Sequence, residues 1–181
     1  MTAVSYDAAL ARKKASEIRL MIFDVDGVLT DGSLLFGCDG EVIKCFNVLD
    51  GHGIKLLMAA GITTAIISAR QSAIVARRAS DLGIPHIYQG VHDKRLAFEQ
   101  LLADLSLPPS ACGFIGDDVI DLPILSRVGF AASVPNAHAE VLSRVAFVTQ
   151  ARGGQGAVRE LCDFVLRAQG KYESALAPYL A

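Results

Sequence analysis

Short apolar runs of strand length alternate with helical stretches along almost the whole chain. The runs that we predict as strands cover residues 19–23, 63–67, 86–88, 112–115, 130–134 and 146–149. Between them, apolar residues such as Ile54, Leu57 and Met58 recur at the 3.6-residue spacing of a helix. Continuous apolar strands that alternate with helices are typical of a parallel sheet covered by helices on both faces. The sequence therefore predicts an α/β fold with a doubly wound, mostly parallel, Rossmann-like sheet.

One segment after the first predicted strand departs from this alternation. Residues 33–36 and 41–47 are both strand-like, and the turn-forming residues 37–40 join them. We therefore predict a β-hairpin that projects from the end of the first strand. Because an isolated hairpin is only marginally stable in water, its edges need a partner.

The length and the charge of the chain exclude several classes of protein. With 181 residues and no segment of linker composition, the chain fits a single domain over residues 1–181. A formal net charge of −2 gives no basic face for nucleic acid, and charged or polar residues interrupt each apolar run before it reaches the length of a membrane span. The four cysteines are scattered as in reduced cytosolic proteins, so we expect a cytoplasmic protein.

Charged and hydroxyl groups follow the predicted strands, at the edge where an open parallel sheet binds its ligands. They are Asp24 and Asp26 after the first strand, Ser68 after the second, Lys94 at the start of the helix after the third, and Asp117, Asp118 and Asp121 after the fourth. Carboxylates crowded at one edge lose their charge unless a cation neutralises them, and hard oxygen ligands suit Mg²⁺. The sequence therefore predicts a magnesium site that, together with Lys94 and Ser68, holds a phosphoryl group.

The spacing of the first two aspartates predicts a reaction. Asp24 and Asp26 are separated by one residue just past a strand, so a loop can direct both carboxylates at one point. One of them can attack phosphorus while the other protonates the departing oxygen. Gly27 allows the chain to turn sharply, which brings backbone N–H groups near the phosphate. The pattern predicts a phosphatase that depends on positioning and on charge stabilisation.

Four segments of the chain resemble, in order, the motifs of the haloacid dehalogenase superfamily of phosphatases. Residues 24–30, Asp-Val-Asp-Gly-Val-Leu-Thr, resemble the first motif, and Ser68, Lys94 and residues 116–121 match the second, third and fourth. One departure is that Ser68-Ala69-Arg70 replaces the more usual Thr-Gly-Arg, which leaves the phosphate-binding hydroxyl in place.

This resemblance implies roles for the matched residues. Asp24 is expected to be the nucleophile, Asp26 the general acid and base, and Ser68 and Lys94 the groups that complete the catalytic set. Asp24, the backbone carbonyl of Asp26, and Asp117 are expected to hold Mg²⁺. The roles of Asp118 and Asp121 stay open, because an aspartate at the end of a loop often only caps a helix.

A nearer resemblance is to the family of 3-deoxy-D-manno-octulosonate 8-phosphate phosphatases. The hairpin, residues 46–55 and residues 153–160 are similar to that family. The resemblance implies a homotetramer that makes a sugar acid for bacterial lipopolysaccharide. It also implies substrate contacts from Asp26, Asn47, Val48, Leu49, Asp50, Gly51, Lys55, Arg70, Arg78 and Lys94.

The intervals between the motifs independently favour an oligomer. Only the hairpin and one helix are predicted between Asp26 and Ser68, and only one helix and one strand between Ser68 and Lys94. Neither interval has room for a separate cap domain. Because a site open to water loses electrostatic stabilisation, we expect the hairpin or the tail of a neighbouring subunit to cover it.

Other functions stay open at this point. Arg70, Arg78 and Lys55 can bind a substrate carboxylate, which favours sugar acids without selecting one, and another sugar-acid phosphate or a small phosphate ester is also possible. A receiver-like signalling module also combines a doubly wound sheet with carboxylates, a hydroxyl and a lysine around Mg²⁺. Asp26 argues against that module, because an acid and base at this position speeds hydrolysis of the phosphoaspartate that a signalling domain must preserve.

Overall fold

The computed structural model describes residues 7–180. The strands are β1 (Leu20–Phe23), β2 (Leu35–Gly37), β3 (Gly40–Ile43), β4 (Thr63–Ile67), β5 (His86–Tyr88), β6 (Cys112–Ile115), β7 (Phe130–Ser133) and β8 (Phe147–Val148). The helices are α1 (Ala8–Ser16), α2 (Val48–Ala59), α3 (Ala73–Leu82), α4 (Lys94–Leu105), α5 (Leu122–Leu125), α6 (Ala139–Leu142), α7 (Ala157–Ala168) and α8 (Tyr172–Leu176). The predicted domain also includes residues 1–6 and 181, which lie outside the described residues.

Six of the strands form one parallel sheet in the order β5-β4-β1-β6-β7-β8. From the central strand β1 the chain first builds outward through β4 and β5, and then returns to build the other half from β6. This reversal beside β1 is the position where open α/β sheets bind ligands. β2 and β3 pair separately as an antiparallel hairpin. The predicted doubly wound parallel sheet and its projecting hairpin are confirmed.

The central strand shows why the predicted strands are apolar without alternation. All four residues of β1 are buried. Met21 and Phe23 pack on the face covered by α1, α2 and α7, whereas Leu20 and Ile22 pack on the face covered by α4 and α5. Since successive side chains of a strand point to opposite faces, a strand with helices on both sides must be apolar throughout.

The hairpin is shorter than the strands predicted at 33–36 and 41–47. A two-residue loop joins β2 to β3, where the sequence predicted a turn of four residues. Gly40 allows this tighter reversal with a φ of +115°. β3 ends before the predicted boundary because Lys44 turns inward and Asn47 already caps α2.

The longest α-helices of the described chain have 12 residues. Within residues 7–180, no helix combines the length and the apolar character that crossing a membrane requires. The helices instead serve to cover the sheet, and the loops after β1, β4 and β6 meet at its carboxyl edge.

Candidate active site

The loop after β1 presents two aspartates at the carboxyl end of the central strand. The backbone N–H of Asp24 still donates to a carbonyl of β6, with an N–O distance of 3.0 Å, so Asp24 stays fixed to the sheet. Beyond it, the backbone N–H groups of residues 28–30 turn back to the carbonyl of Val25 at 2.9 to 3.3 Å. Gly27 allows this turn with a φ of +86°, and both Asp24 and Asp26 therefore face the sheet edge.

The loop after β6 brings Asp117 onto the first loop. A Cβ atom at Gly27 would lie 2.0 Å from Oδ2 of Asp117, so this carboxylate packs directly against the glycine. The backbone carbonyl of Asp117 accepts a hydrogen bond from the N–H of His138 at 2.8 Å, which fixes the loop from the other side. Asp117 can therefore take this position only because residue 27 is a glycine, which has no side chain.

Carboxylates from the first and fourth motifs share one small volume. Oxygen atoms of Asp24, Asp117 and Asp121 lie within 4.8 Å of one another. Hard oxygen donors at this spacing fit a divalent cation such as Mg²⁺. The carboxylate of Asp26 is not in this group; it forms an ion pair with Lys44.

Both carboxylate oxygens of Asp121 already have partners within the protein. Its Oδ1 contacts Nζ of Lys94 at 2.6 Å, and its Oδ2 accepts the backbone N–H groups of Asp117 at 2.9 Å and of Asp118 at 3.2 Å. Asp118 and Asp121 also form a reciprocal capping box around the short 3₁₀ turn Val119–Asp121. Asp121 therefore holds Lys94 and the fourth-motif loop in place, a role that the sequence left open.

Lys94 bridges the two motifs from a buried position. Its side chain is 1% exposed, and its Nζ lies 2.9 Å from Oδ1 of Asp24 and 2.6 Å from Oδ1 of Asp121. Burial alone would lower the pKa of Lys94, but the charges of Asp24 and Asp121 outweigh it and raise the pKa above its ordinary value. The ammonium is therefore a fixed positive charge beside Asp24.

The two carboxylates that remain open to a cation have strongly raised pKa values. Burial, followed by repulsion from Asp121, raises the pKa of Asp24 to about 8. Burial and the charges of Asp121 and Asp118 likewise raise the pKa of Asp117 to about 7. A pKa raised this far means that ionisation of the carboxyl group is unfavourable unless a further positive charge lies close to it. The surroundings of Asp24 and Asp117 therefore lack enough positive charge to keep both groups ionised, and a bound divalent cation would supply it.

The second motif faces the same cleft from the end of β4. Ser68 is buried, and its backbone N–H donates to the carbonyl of Tyr88 at 2.9 Å. Its hydroxyl accepts the N–H of Arg70 at 3.3 Å, and the Arg70 Nε lies 3.8 Å from Oδ2 of Asp26. Arg70 is 40% exposed, so its guanidinium is accessible at the mouth of the cleft.

These groups line one cleft of about 230 Å³. Its walls consist of Asp24, Asp26, Gly32, Ser68, Ala69, Arg70, Lys94, Asp117, Asp118 and Ile120. All four predicted motifs therefore contribute to a single polar cavity with acidic and basic walls. Larger grooves, of about 550, 520 and 320 Å³, do not include this acidic group among the residues that line them.

The remaining residues predicted to contact substrate do not line this cleft. Asn47 caps α2, with its Oδ1 accepting the N–H of Leu49 at 2.8 Å. Val48 and Leu49 are 76% and 54% exposed beside the hairpin, and Lys55 is also exposed. Arg78 is half-buried, with its guanidinium over a phenylalanine ring. A contact between these residues and substrate stays a prediction.

Asp50 has a clear structural role inside its own chain. It is 1% exposed, and its Oδ1 accepts the backbone N–H of Arg159 at 2.8 Å. α7 begins after Gly156, which has no side chain to cap it. Asp50 therefore caps α7 from the neighbouring helix α2, and it is not among the residues that line the cleft of Asp24.

The glycine-rich segment that includes Gly153 and Gly154 packs against the loop after β1. A Cβ atom at Gly153 would lie 1.8 Å from the carbonyl oxygen of Gly27, and the N–H of Gly154 donates to Val28 at 2.9 Å. Asn136 joins the two loops, since it accepts the N–H of Gly153 at 3.0 Å and approaches the Gly27 carbonyl with its amide at 3.5 Å. The residue pattern indicated a helix start at this segment but not its contact with the catalytic loop.

The hairpin also contributes residues that sequence reasoning missed. Lys44 and Glu41 have side chains only 1% and 13% exposed, and both belong to an ion-pair network around Asp26. A lysine in a predicted hairpin gives no sequence signal for this position, because lysines of short strands are usually solvated.

The parallel sheet and the cleft define a hydrolase of the haloacid dehalogenase type. In agreement, the model of the haloacid dehalogenase-like hydrolase family matches residues 62–161. The 3-deoxy-D-manno-octulosonate 8-phosphate phosphatase of Yersinia pestis is 47% identical over 163 residues, which cover 90% of this chain and 87% of that protein. The enzyme of that name from Escherichia coli K12 is 46% identical, over 90% of this chain and 86% of the relative.

Solved structures agree with the sequence relatives. The probable YrbI-family phosphatase of Pseudomonas syringae superposes with a TM-score of 0.93 at 49% identity, covering 96% of this chain and 98% of that chain. The Moraxella catarrhalis 3-deoxy-D-manno-octulosonate 8-phosphate phosphatase, solved with a magnesium ion, a phosphate ion and a KDO molecule, gives 0.91 at 41% identity, covering 93% and 97%. The chain therefore belongs to the 3-deoxy-D-manno-octulosonate 8-phosphate phosphatase family of haloacid dehalogenase-like hydrolases.

Proposed function

We propose that this protein hydrolyses 3-deoxy-D-manno-octulosonate 8-phosphate in the biosynthesis of the lipopolysaccharide precursor, with Mg²⁺ as its cofactor and the cytoplasm as its compartment. The observation that carries the proposal is the meeting of Asp24 and Asp117 in one cleft, with Lys94 between the motifs. The Moraxella relative was solved with magnesium, phosphate and KDO, which supports the cofactor and the substrate. The four unpaired cysteines suit a reducing compartment.

The residues of the cleft divide the work of phosphoryl transfer. Asp24 attacks phosphorus, the bond to the sugar oxygen breaks, and Asp26 gives that oxygen its proton. A water molecule then attacks the phosphorus of phospho-Asp24, gives its proton to Asp26, and displaces the Asp24 oxygen to release inorganic phosphate. Lys94 and Ser68 hold the phosphoryl oxygens during both steps.

The cation has a defined place in this scheme. Asp24, Asp117 and the backbone carbonyl of Asp26 would hold Mg²⁺. When bound, the ion neutralises charge on the carboxylates and on the phosphoryl group. Asp121 stays with Lys94, because both of its oxygens are already used.

We also propose that the protein acts as a homotetramer built from single-domain subunits. Large apolar side chains are exposed on the hairpin and at the start of α2, namely Leu34, Leu35, Phe36, Val42, Ile43, Val48 and Leu49. Several large apolar side chains exposed on neighbouring elements are typical of a protein interface. The hairpin or the tail of a neighbour would then cover the cleft and bring Lys55, Arg78 or residues 47–51 to the substrate. A fully active monomer in sedimentation would contradict this assembly.

A panel of phosphate esters tests the proposed substrate. Phosphate release in the presence of Mg²⁺ is compared among 3-deoxy-D-manno-octulosonate 8-phosphate, other eight- and nine-carbon sugar-acid phosphates, and neutral sugar phosphates. We expect the highest kcat/KM with the first. A higher kcat/KM with another sugar acid or with a neutral ester would instead support the alternative substrates. A stable phosphoprotein without turnover would support the receiver-like module, which the position of Asp26 in the cleft disfavours.

A further inference from the structure

One lysine next to the hairpin points inward and contacts Asp26. Lys44 follows β3, its side chain is 1% exposed, and its Nζ forms an ion pair with Oδ1 of Asp26. Oε1 of Glu41 lies 2.9 Å from the same ammonium. Because lysine is almost never fully buried without a partner, these two carboxylates determine the position of Lys44.

The contacts continue from Glu41 into the second-motif loop. Oε2 of Glu41 accepts a hydrogen bond from the hydroxyl of Ser72 at 2.6 Å, at the start of α3. Arg70 completes the network, with its Nη2 3.9 Å from Glu41 and its Nε 3.8 Å from Asp26. Two carboxylates and two cationic side chains thus link the first loop, the hairpin and the loop after β4.

Two simpler roles for Lys44 fit the geometry poorly. A substrate contact would require Lys44 to line the cleft as Lys94 does, and Lys44 is not part of the cleft wall. A role in stability alone is also weak, because apolar residues that replace a buried ion pair often leave a protein equally or more stable. The position of the pair, directly on Asp26, points to the reaction.

We propose that Lys44 is a positioning residue, which holds the Asp26 carboxyl group in the orientation from which its protonated form gives the proton to the leaving oxygen. The inference rests on the proposed phosphatase function. Asp26 lies on a loop and has more than one rotamer available, yet a general acid must stay within hydrogen-bond reach of the atom that it protonates. A displacement of about 1 Å is enough to lower a rate about 10²-fold.

Two substrates with different leaving groups distinguish a loss of Asp26 positioning from a general loss of enzyme structure. Lys44→Met is compared with the wild type on 3-deoxy-D-manno-octulosonate 8-phosphate, whose alkoxide needs a proton, and on p-nitrophenyl phosphate, whose phenolate leaves without one. We expect kcat/KM to fall about 10²-fold with the sugar phosphate and to change little with the aryl phosphate. Equal losses on both substrates would overturn the proposal. Lys13→Met, an exposed lysine of α1, is the matched control and should leave both values unchanged.

A double-mutant cycle tests whether Lys44 acts through Asp26. If it does, Asp26→Asn/Lys44→Met will be no slower on the sugar phosphate than Asp26→Asn alone. Losses that multiply would show that Lys44 acts independently, and the proposal would be wrong.

Ser72→Ala keeps the test decisive if Lys44→Met does not fold. The Ser72 hydroxyl bonds to Glu41 and does not cap α3, so its loss loosens the network without removing a helix cap. A smaller loss of kcat/KM, still confined to the sugar phosphate, supports the proposal, and no selectivity for the leaving group overturns it. A wild-type protein that releases phosphate from neither ester would refute the proposed function itself. An active wild type, combined with losses of Asp26→Asn and Lys44→Met that multiply in the double variant, would refute only the role of Lys44.

Discussion

The carboxyl edge of the sheet and the hairpin both supply charged partners of Asp26, but their surroundings are opposite. At the sheet edge, Asp24 and Lys94 are at most 6% exposed, and backbone hydrogen bonds or ion pairs fix each of them. The hairpin sends Lys44 inward but exposes Phe36 at 59% and Val42 at 53%. The sheet edge thus brings acidic and basic groups together within one chain, whereas the hairpin keeps an apolar surface exposed.

We infer from this difference that the sheet edge carries out the chemistry, and that the hairpin serves to orient Asp26 and to form the subunit contacts proposed above. Changes at the sheet edge should therefore abolish or strongly reduce turnover. Changes farther from it should alter positioning or stability by smaller amounts.

The largest effect is expected for Asp24→Asn. An amide at this position cannot form the acyl phosphate, so phosphate release should fall to background while the circular dichroism spectrum stays native. Asp81→Asn, at an exposed position near the end of α3, is the control and should keep full activity. Substantial hydrolysis by Asp24→Asn would contradict the covalent route.

Asp26→Asn should lower kcat for the sugar phosphate by about 10²–10⁴-fold, the usual contribution of a general acid and base. Steady-state phosphate release measures the loss. A variant that keeps wild-type kcat would show that another group supplies the proton.

Gly27→Ala sharpens the comparison at the sheet edge. The added Cβ would lie 2.0 Å from Oδ2 of Asp117, so we expect this carboxylate to be displaced, with weaker Mg²⁺ binding in calorimetry and a kcat about 10²-fold lower. Gly61→Ala is the control for backbone strain, because Gly61 has a φ of +82° and no atom within 4 Å of an added Cβ. Equal losses in both variants would mean that strain, and not Asp117, is responsible.

The raised pKa values of Asp24 and Asp117 predict a pH dependence of stability. Both exceed the ordinary value of 3.8, at about 8 and about 7, so in metal-free protein the two protonated groups favour folding at low pH. Their contribution should be lost as the pH rises through about 7 and 8. Urea unfolding of metal-free wild type and Asp24→Asn between pH 5 and 9 measures it, and the wild type should lose more stability than the variant. Saturating Mg²⁺ should suppress the wild type's loss of stability at high pH, because the cation favours the ionised carboxylates.

Asp50→Ala should have the smallest effect on the reaction and act mainly on stability. It removes the cap of α7, so the free energy of unfolding should fall by about 1–2 kcal/mol in urea. Asp163→Ala, which removes only the side-chain partner of Arg159, should lower it by about 0.5 kcal/mol or less. A large rise in KM for Asp50→Ala would show that Asp50 also contacts substrate.

The sheet and its acidic edge were predictable because they depend on local patterns. Apolar runs locate strands, parallel strands end at one edge, and Asp24, Ser68, Lys94 and Asp117 follow those ends. The cleft at this edge brings these four side chains together.

Residues whose role depends on distant partners were not predictable. Lys44 meets Asp26 only because the hairpin folds back, and Asp50 caps a helix that begins more than 100 residues later in the chain. Asp121 resembles a simple helix cap in sequence, since only the folded chain places Lys94 against it. Such contacts are set by tertiary packing, which periodicity does not encode.

A crystal structure with Mg²⁺ and beryllium fluoride, a mimic of an aspartyl phosphate, tests the central claim most directly. The account predicts beryllium bonded to a carboxylate oxygen of Asp24, with one Mg²⁺ held between Asp24 and Asp117. Beryllium on Asp26, or a cation that contacts only one of the two motifs, would contradict it.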